Sequence, residues 1–495
     1  MFFKLLYILF LVNSIFSQSF FNRIQPEEIY LGDARSMSIG NILFTSNNSG
    51  ILITNPAHMS SLDQGINFDF NIELNTLSER RGNQFKDMFG SFIGQSDYVF
   101  NQSNDFQYSF SLIFNSIVNK NKDSIWEFRE NLSIGISYKP FSSFNYNYEE
   151  ELRGAANSNV LGIRDPILGY HIFNTSGELY VQSLGISYKV KDENKKIKSV
   201  GFSLNQIKPT KIKDRIDIIN FYDLSAIDEY HPDYNQYINC LNEFGDACND
   251  FYINSEEVMV SMNSIENEYS FINVNKLPGF LNKDVFGTIG IEFRIKNDTF
   301  VSISYESPGK LFSSSNQSEI IYPNISNMVG LPQYIEYNDD NDLVYVIQGI
   351  KYYKPKVIRL GVSYIPRSMA SLLIAFEIEN KYWDISREGM NNNVNKFKAG
   401  IEYKPLDSFP IRAGLVYNQS SFTAIGPKTV LALGTGKTLG KATIDFAMNY
   451  SISNYRYIDI FPVIDNYYNS SCDVVTCDEV NESKLTFLTT IRMEF

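Results

Sequence analysis

Long apolar runs, tryptophan and histidine are scarce in this sequence: there are 2 Trp and 3 His, and beyond the N-terminus polar residues interrupt every hydrophobic stretch within a few positions. A membrane-spanning helix needs roughly 20 apolar residues in a row, so an α-helical membrane protein is excluded. His58, His171 and His231 are the whole stock of imidazoles, and no nucleophile and base stand together as a readable catalytic arrangement. The chain therefore reads as non-enzymatic, without cofactor or metal. Basic residues are outnumbered by acidic ones, 43 to 56, and the resulting formal charge of −13 argues against nucleic acid as a partner.

Only 4 cysteines occur, as the close pairs Cys240 with Cys248 and Cys472 with Cys477. In an oxidising compartment two local disulfides are the natural reading, with a metal site near His231 as the alternative. The compartment is set by the first residues. Lys4 supplies a positive start, Leu5 to Val12 a short apolar core and Ser17 a small residue for cleavage, so residues 1–17 read as a signal peptide.

What the sequence does have is alternation. From about residue 66 to the end, segments of eight to eleven residues alternate apolar with small or polar side chains, which is the period of a strand. In the last of them Leu485, Phe487, Ile491, Met493 and Phe495 share one face while Thr486, Thr490, Arg492 and Glu494 share the other. About fourteen such segments can be counted, near 66–75, 105–116, 131–139, 178–190, 197–207, 287–295, 299–306, 357–365, 371–379, 397–404, 410–418, 429–436, 442–450 and 485–495.

One strand of this kind suits a soluble sandwich as well as a barrel in lipid. The connections discriminate. With both termini on one side, they sort into short inner turns and long outer stretches at 76–104, 140–177, 208–286, 307–356 and 451–484, the pattern of outer-membrane barrels. Both cysteine pairs fall in outer stretches. The predicted fold is all-β: one transmembrane antiparallel barrel over 66–495, in the outer membrane, facing lipid on one side. A chain ending on Phe495 carries the terminal aromatic that the barrel assembly machinery would meet.

On the inward face the alternation places Glu292, Arg294, Arg359, Glu377, Glu379, Glu402, Arg412, Asp445, Arg492 and Glu494. Such charges either pair across a filled interior or line a permeation path. A recurring quartet, Gly135-Ile136-Ser137-Tyr138, Gly185-Ile186-Ser187-Tyr188, Gly361-Val362-Ser363-Tyr364 and Gly400-Ile401-Glu402-Tyr403, puts the aliphatic residue and Tyr outside and Gly inside a crowded lumen. Two other patterns carry little. Gly434-Thr435-Gly436-Lys437-Thr438 lacks the first glycine of a phosphate-binding loop, and Glu336, Asp339, Asp340 and Asp342 do not have the spacing of a calcium loop.

Ahead of the first strand lies Leu31-Gly32-Asp33-Ala34-Arg35-Ser36-Met37-Ser38-Ile39-Gly40, followed by Thr54-Asn55-Pro56-Ala57. This resembles the N-terminal hatch of the FadL-like outer-membrane proteins, and the Asp33-Ala34-Arg35 variant looks most like the PorV/PorQ branch. The resemblance implies a hatch over 18–65 inside the barrel, with Gly32, Asp33, Arg35, Gly40, Asn55, Pro56 and Ala57 as its motif residues. It also implies passive uptake of hydrophobic small molecules, or alternatively a non-enzymatic barrel that handles exported proteins in type IX secretion.

Overall fold

The computed structural model describes residues 26–47, 50–86, 91–115, 131–153, 167–190, 196–221, 260–269, 284–312, 351–383, 393–405, 409–423, 425–457 and 478–495, with a few short pieces between them. The signal-peptide expectation and all four cysteines lie outside the described residues, as do Asp339, Asp340 and Asp342.

Fourteen strands close into a ring. In chain order they are β1 (Gly65–Lys86), β2 (Phe92–Asn115), β3 (Leu132–Ser143), β4 (Glu178–Lys189), β5 (Ile197–Pro209), β6 (Val285–Lys296), β7 (Thr299–Glu306), β8 (Lys356–Tyr364), β9 (Leu372–Tyr382), β10 (Asn393–Tyr403), β11 (Ile411–Asn418), β12 (Lys428–Leu439), β13 (Ala442–Tyr457) and β14 (Asp478–Glu494). Each pairs antiparallel with the next, and β14 returns to β1, where Phe495 and Ile66 exchange backbone hydrogen bonds of 2.9 and 3.1 Å. The Gly434 to Thr438 stretch is an ordinary part of β12.

Alternation decides the two faces. Phe110, Ile136, Ile186, Phe202, Ile289, Phe376, Ile401, Leu431, Phe446 and Phe487 point outward and are exposed, while neighbours such as Ser111, Ser187, Ser203, Thr288, Glu377, Ala432, Asp445 and Thr486 point inward and are buried. An apolar girdle of this extent would be an aggregation surface in water and is what lipid requires. The quartet tyrosines Tyr188, Tyr364 and Tyr403 sit half-exposed on the same outer face.

The outer stretches hold more strand than alternation alone suggested. The β1–β2 hairpin continues through two register shifts to Lys86 and Phe92, well past what a membrane needs. Four further strands, Tyr146–Arg153, Ile167–Ser176, Ile212–Phe221 and Val260–Tyr269, form a separate antiparallel sheet. It packs on the hairpin through Tyr146 and Tyr148, between which Arg81 is buried with its guanidinium held by Glu79 at 2.8 Å and set 5.1 Å from the Tyr148 ring centre.

Residues 26–47 and 50–62 lie within the ring, because their short elements touch inward-facing residues on opposite arcs. Helix α1 (Ala34–Ser38) meets β11 to β14, whereas helix α2 (Gly50–Thr54) and the 3-10 turn Pro56–Ser61 meet β2 to β7. Non-helical backbone at this depth is tolerable because protein, not hydrocarbon, surrounds it.

Candidate functional site

The plug is seated by matched polar groups and by missing side chains in the wall. Asp33 caps α1: it accepts from the Ser36 amide at 2.7 Å, and its own amide donates to Ser36 Oγ at 3.0 Å. Arg35 reaches across to Glu402 on β10 with two parallel bonds of 2.9 Å, and Glu402 also accepts from Arg412, which continues to Asp445 at 2.7 Å. Asn55 accepts from the Ala57 amide and donates to Ser302 on β7 at 2.7 Å, with Pro56 opening the turn that follows. His58 Nδ1 is 2.5 Å from Glu292 on β6.

The inward glycines are where plug backbone touches wall backbone. A Cβ on Gly400 would stand 1.9 Å from the Ile39 carbonyl oxygen, and one on its cross-strand partner Gly414 would stand 2.1 Å from the Gly40 nitrogen. Gly40 itself has φ +86°, a conformation L side chains rarely adopt. Gly361 faces Phe44, Gly201 faces Ala57, and Gly135 and Gly185 both face Met59. The repeated quartet thus marks plug contacts at each of its four occurrences.

Other sequence-predicted positions fall as follows. Gly32 has the Tyr30 hydroxyl and Ser36 packed against it and accepts from Lys139 at 3.4 Å. Arg359 bonds Glu306 and, at 2.9 Å, Glu379. Arg492 bonds Glu494 at 3.1 Å. Arg294 stays in register opposite Phe300 on β7, two residues on from the Glu292–Ser302 pair, and its side chain is exposed at the inner-turn end with the guanidinium 5.5 Å from the Phe300 ring.

One part of the wall is not a regular sheet. Strands β2 and β3 pair only from Phe110–Asn115 to Ser133–Tyr138. Beyond Tyr138 strand β3 turns inward, and every residue from Lys139 to Ser143 is buried. Pro140, which has no amide hydrogen to give a neighbour, sits where the pairing with β2 stops. A register shift against β4 follows directly, between Pro140 and Ser142. The freed edge is taken up by the plug: Glu27 and Glu28 pair with Ser143 and Ser142, and the Ile29 amide donates to Phe141 at 3.0 Å.

Across the resulting break only side chains meet. Gln107 on β2 donates to Glu178 at the start of β4 at 3.3 Å and to Asp105 at 2.8 Å, and Lys139 on β3 donates to Ser109 on β2 at 3.3 Å.

Two cavities lie along the plug and share Glu27 and Glu28 as lining. The outer one, about 190 Å³, is bordered by an apolar cluster of Phe422, Tyr455 and Val480 with Trp383 and Ile425 against it. The inner one, about 180 Å³, reaches Ile29 and Phe141 beside the inturned strand. Among the described residues its wall offers seven cations, Lys381, Lys396, Lys398, Lys428 and Lys484 with Lys354 and Arg359 deeper, against three carboxylates, Glu73, Glu306 and Glu379. The plug adds Glu28, which bonds Lys381 and stands 3.2 Å from Lys396, and Glu27, 2.7 Å from Lys484. Burial alone would raise the Glu28 carboxyl, but Lys381 and Lys396 hold it down at about 2, and Glu27 is likewise lowered by Lys484 against its burial.

His171 belongs to the outer sheet and lines neither of these two cavities. It is buried against Glu150 at 2.7 Å, and burial brings it down to about 4.

No protein-family model matches the chain, and no curated protein matches it. Among solved structures the chain is similar to a FadL homologue of Pseudomonas aeruginosa, at 12% identity over 94% of this chain and 98% of that one, with a TM-score of 0.49. It is also similar to the toluene transporter TodX of P. putida, at 12% identity over 94% and 99% with a TM-score of 0.48. The toluene transporter TbuX of Ralstonia pickettii gives 12% over 94% and 99%, at 0.47. Likenesses this distant carry no functional weight, and the fold rests on the strand pairing itself.

The break in the wall and the Glu27–Glu28 strand were not foreseen from the sequence. Pro140 inside an otherwise alternating segment was the available signal for the first. Nothing local could have signalled the second, because Lys381, Lys396 and Lys484 reach the plug only through closure of the ring.

Proposed function

We propose that this chain is an outer-membrane channel for passive uptake of hydrophobic or amphipathic small molecules that leave sideways through the wall. The observation that carries this reading is the inturned half of β3, which leaves β2 and β4 joined by side chains alone beside a cavity. A straight axial path runs into plug backbone packed against Gly400 and Gly414. The lateral break is closed by two side-chain hydrogen bonds, Gln107 to Glu178 and Lys139 to Ser109, each of which costs little to part.

Ligand would be collected at the apolar outer cavity near Trp383 and Phe422, pass Glu27 and Glu28 as the plug strand shifts, and exit between β2 and β4 into the lipid that the exposed Phe106 and Tyr108 face. No nucleotide or metal enters this scheme. Interaction free energy with the two cavities would supply the bias that moves the plug strand.

The separate four-stranded outer sheet supports a second reading, a PorV/PorQ-type barrel that presents a surface to exported proteins. Purified protein separates the two. Saturable binding of a neutral alkyl probe, read by Trp383 fluorescence, supports uptake. No saturable binding, with recovery of secreted proteins on pull-down, overturns it in favour of the second reading.

A further inference from the structure

Inside the ring Arg359, Lys398 and Arg412 hold wall carboxylates at 2.9, 2.6 and 2.6 Å. At the inner-turn end the pattern reverses. Five successive inner turns, from β4–β5 to β12–β13, carry Lys196, Lys296, Arg367, Lys404, Lys437 and Lys441, all exposed. Arg367 has Asp298 at 3.0 Å, but none of the five lysines is ion-paired among the described residues. Of the other carboxylates described at this end, Glu494 is taken by Arg492 at 3.1 Å and Asp63 is exposed. The remaining stretches of these turns offset little, because 191–195 holds two cations and two acids and 406–408 a single Asp407. A chain whose formal charge is −13 thus carries an unpaired basic rim.

The neighbours of these cations show what they meet. Lys196 adjoins Ile197, Lys296 adjoins Ile295, Lys404 adjoins Tyr403 and Lys441 follows Leu439 by two, and those four outward side chains are 39–56% exposed. Lys437 lies over the Phe409 ring at 4.8 Å, and that ring is itself exposed on the outer face. A lysine whose aliphatic stem lies along apolar surface while its ammonium reaches the water boundary is suited to the edge of a bilayer. A soluble partner would cover one arc of such a rim. These cations instead follow the wall through ten of its fourteen strands, as a surrounding leaflet does.

We propose that the inner-turn rim is a binding surface for anionic phospholipid head groups, with Lys437 and Lys441 beside Phe409 as one head-group position. Phosphate oxygens accept from the ammonium groups, and the acyl chains lie against Phe409, Ile411 and Leu439, all exposed. The rim thereby fixes the depth of the barrel and draws a negatively charged annulus to its inner edge. This goes beyond the uptake reading and does not depend on what the channel carries.

The test uses the full chain with Phe409→Trp and Trp126→Phe, reconstituted in phosphatidylcholine bilayers into which brominated phosphatidylglycerol or brominated phosphatidylcholine is titrated. Folding of each variant is checked by heat-modifiable migration. Bromine quenches the introduced indole on lipid contact, while Trp383, which lines the outer cavity, supplies an unquenched baseline. The anionic lipid binds about fivefold more tightly than the neutral one at low salt, and the difference shrinks in concentrated salt. Lys437→Gln with Lys441→Gln brings the two lipids level and leaves migration unaltered. Equal quenching by both lipids in the starting chain overturns the proposal and leaves the rim to a soluble acidic partner. A preference that survives the loss of both lysines overturns the head-group position.

Discussion

Gly400 is the position at which the plug account can be pressed hardest. An added methyl there would lie 1.9 Å from the Ile39 carbonyl oxygen and 2.5 Å from its carbonyl carbon, both backbone atoms that no rotamer can move aside. Ordinary contact between such atoms needs roughly 3.5 Å, so the Ile39–Gly40 turn must retreat by more than an ångström or leave its notch. Overpacking of this kind costs about 1–3 kcal/mol. Around 2 kcal/mol raises the undocked fraction of the plug about thirtyfold.

Hydrogen exchange measures that fraction through the amides of Gly40, Asn41 and Ile42, which donate to Met37, Met37 and Ser36 at 3.0, 3.1 and 3.1 Å. In Gly400→Ala they should exchange about thirtyfold faster while the wall amides of β12 to β14 keep their protection. Adding Gly414→Ala should do little more, because both methyls push on the same turn. Gly287→Ala is the control, since its nearest foreign atom would be 3.6 Å away. Unchanged exchange in Gly400→Ala, or equal acceleration in Gly287→Ala, would refute the docking geometry.

Further outcomes follow from the ion pairs. Arg35→Lys removes the planar fork that holds both oxygens of Glu402 and should loosen α1 by about 1–2 kcal/mol, read as faster exchange at Met37 with the Glu402–Arg412 pair intact. Glu28 has its acidity set by Lys381 and Lys396 at about 2 instead of 4.5, so its contribution to plug docking is complete above pH 4.5 and fades as pH falls toward 2. The full shift would correspond to about 3.4 kcal/mol, and with over a third of the side chain exposed, screening reduces it to about 1 kcal/mol. The protection factor of the Ile29 amide should therefore fall about fivefold over that window and stay constant in Glu28→Gln.

How far the sequence foretold this molecule follows from where its residues meet lipid. All fourteen wall strands were legible because an apolar outer face against a small or polar inner face produces strict alternation, and Ile289 to Ile295 or Ile444 to Tyr450 could face only one way. Where neither face meets lipid the signal vanishes. The continuation of β1 through Ser78-Glu79-Arg80-Arg81 and the outer strand Tyr146–Arg153 are buried by protein on one side and wet on the other, with charged residues on both. Both read as loop.

The plug motif was legible as a resemblance, and its cap had a local signature in Asp33 and Ser36 three residues apart. The Glu27, Glu28 and lysine cluster stayed hidden for a different reason. Its carboxylates lie more than 350 residues before its lysines and only ring closure unites them.

The central claim is that ligand leaves through the side of the barrel where β2 and β4 are joined by Gln107 and Glu178. Gln107→Cys with Glu178→Cys, in a chain whose four native cysteines are replaced by serine, can be stapled with a short reversible bis-thiol reagent and compared with its reduced form. Entry of an alkyl probe into proteoliposomes should fall to background when the staple is in place and return on reduction, with binding at Trp383 the same in both states. Unabated entry through the stapled barrel would contradict the account.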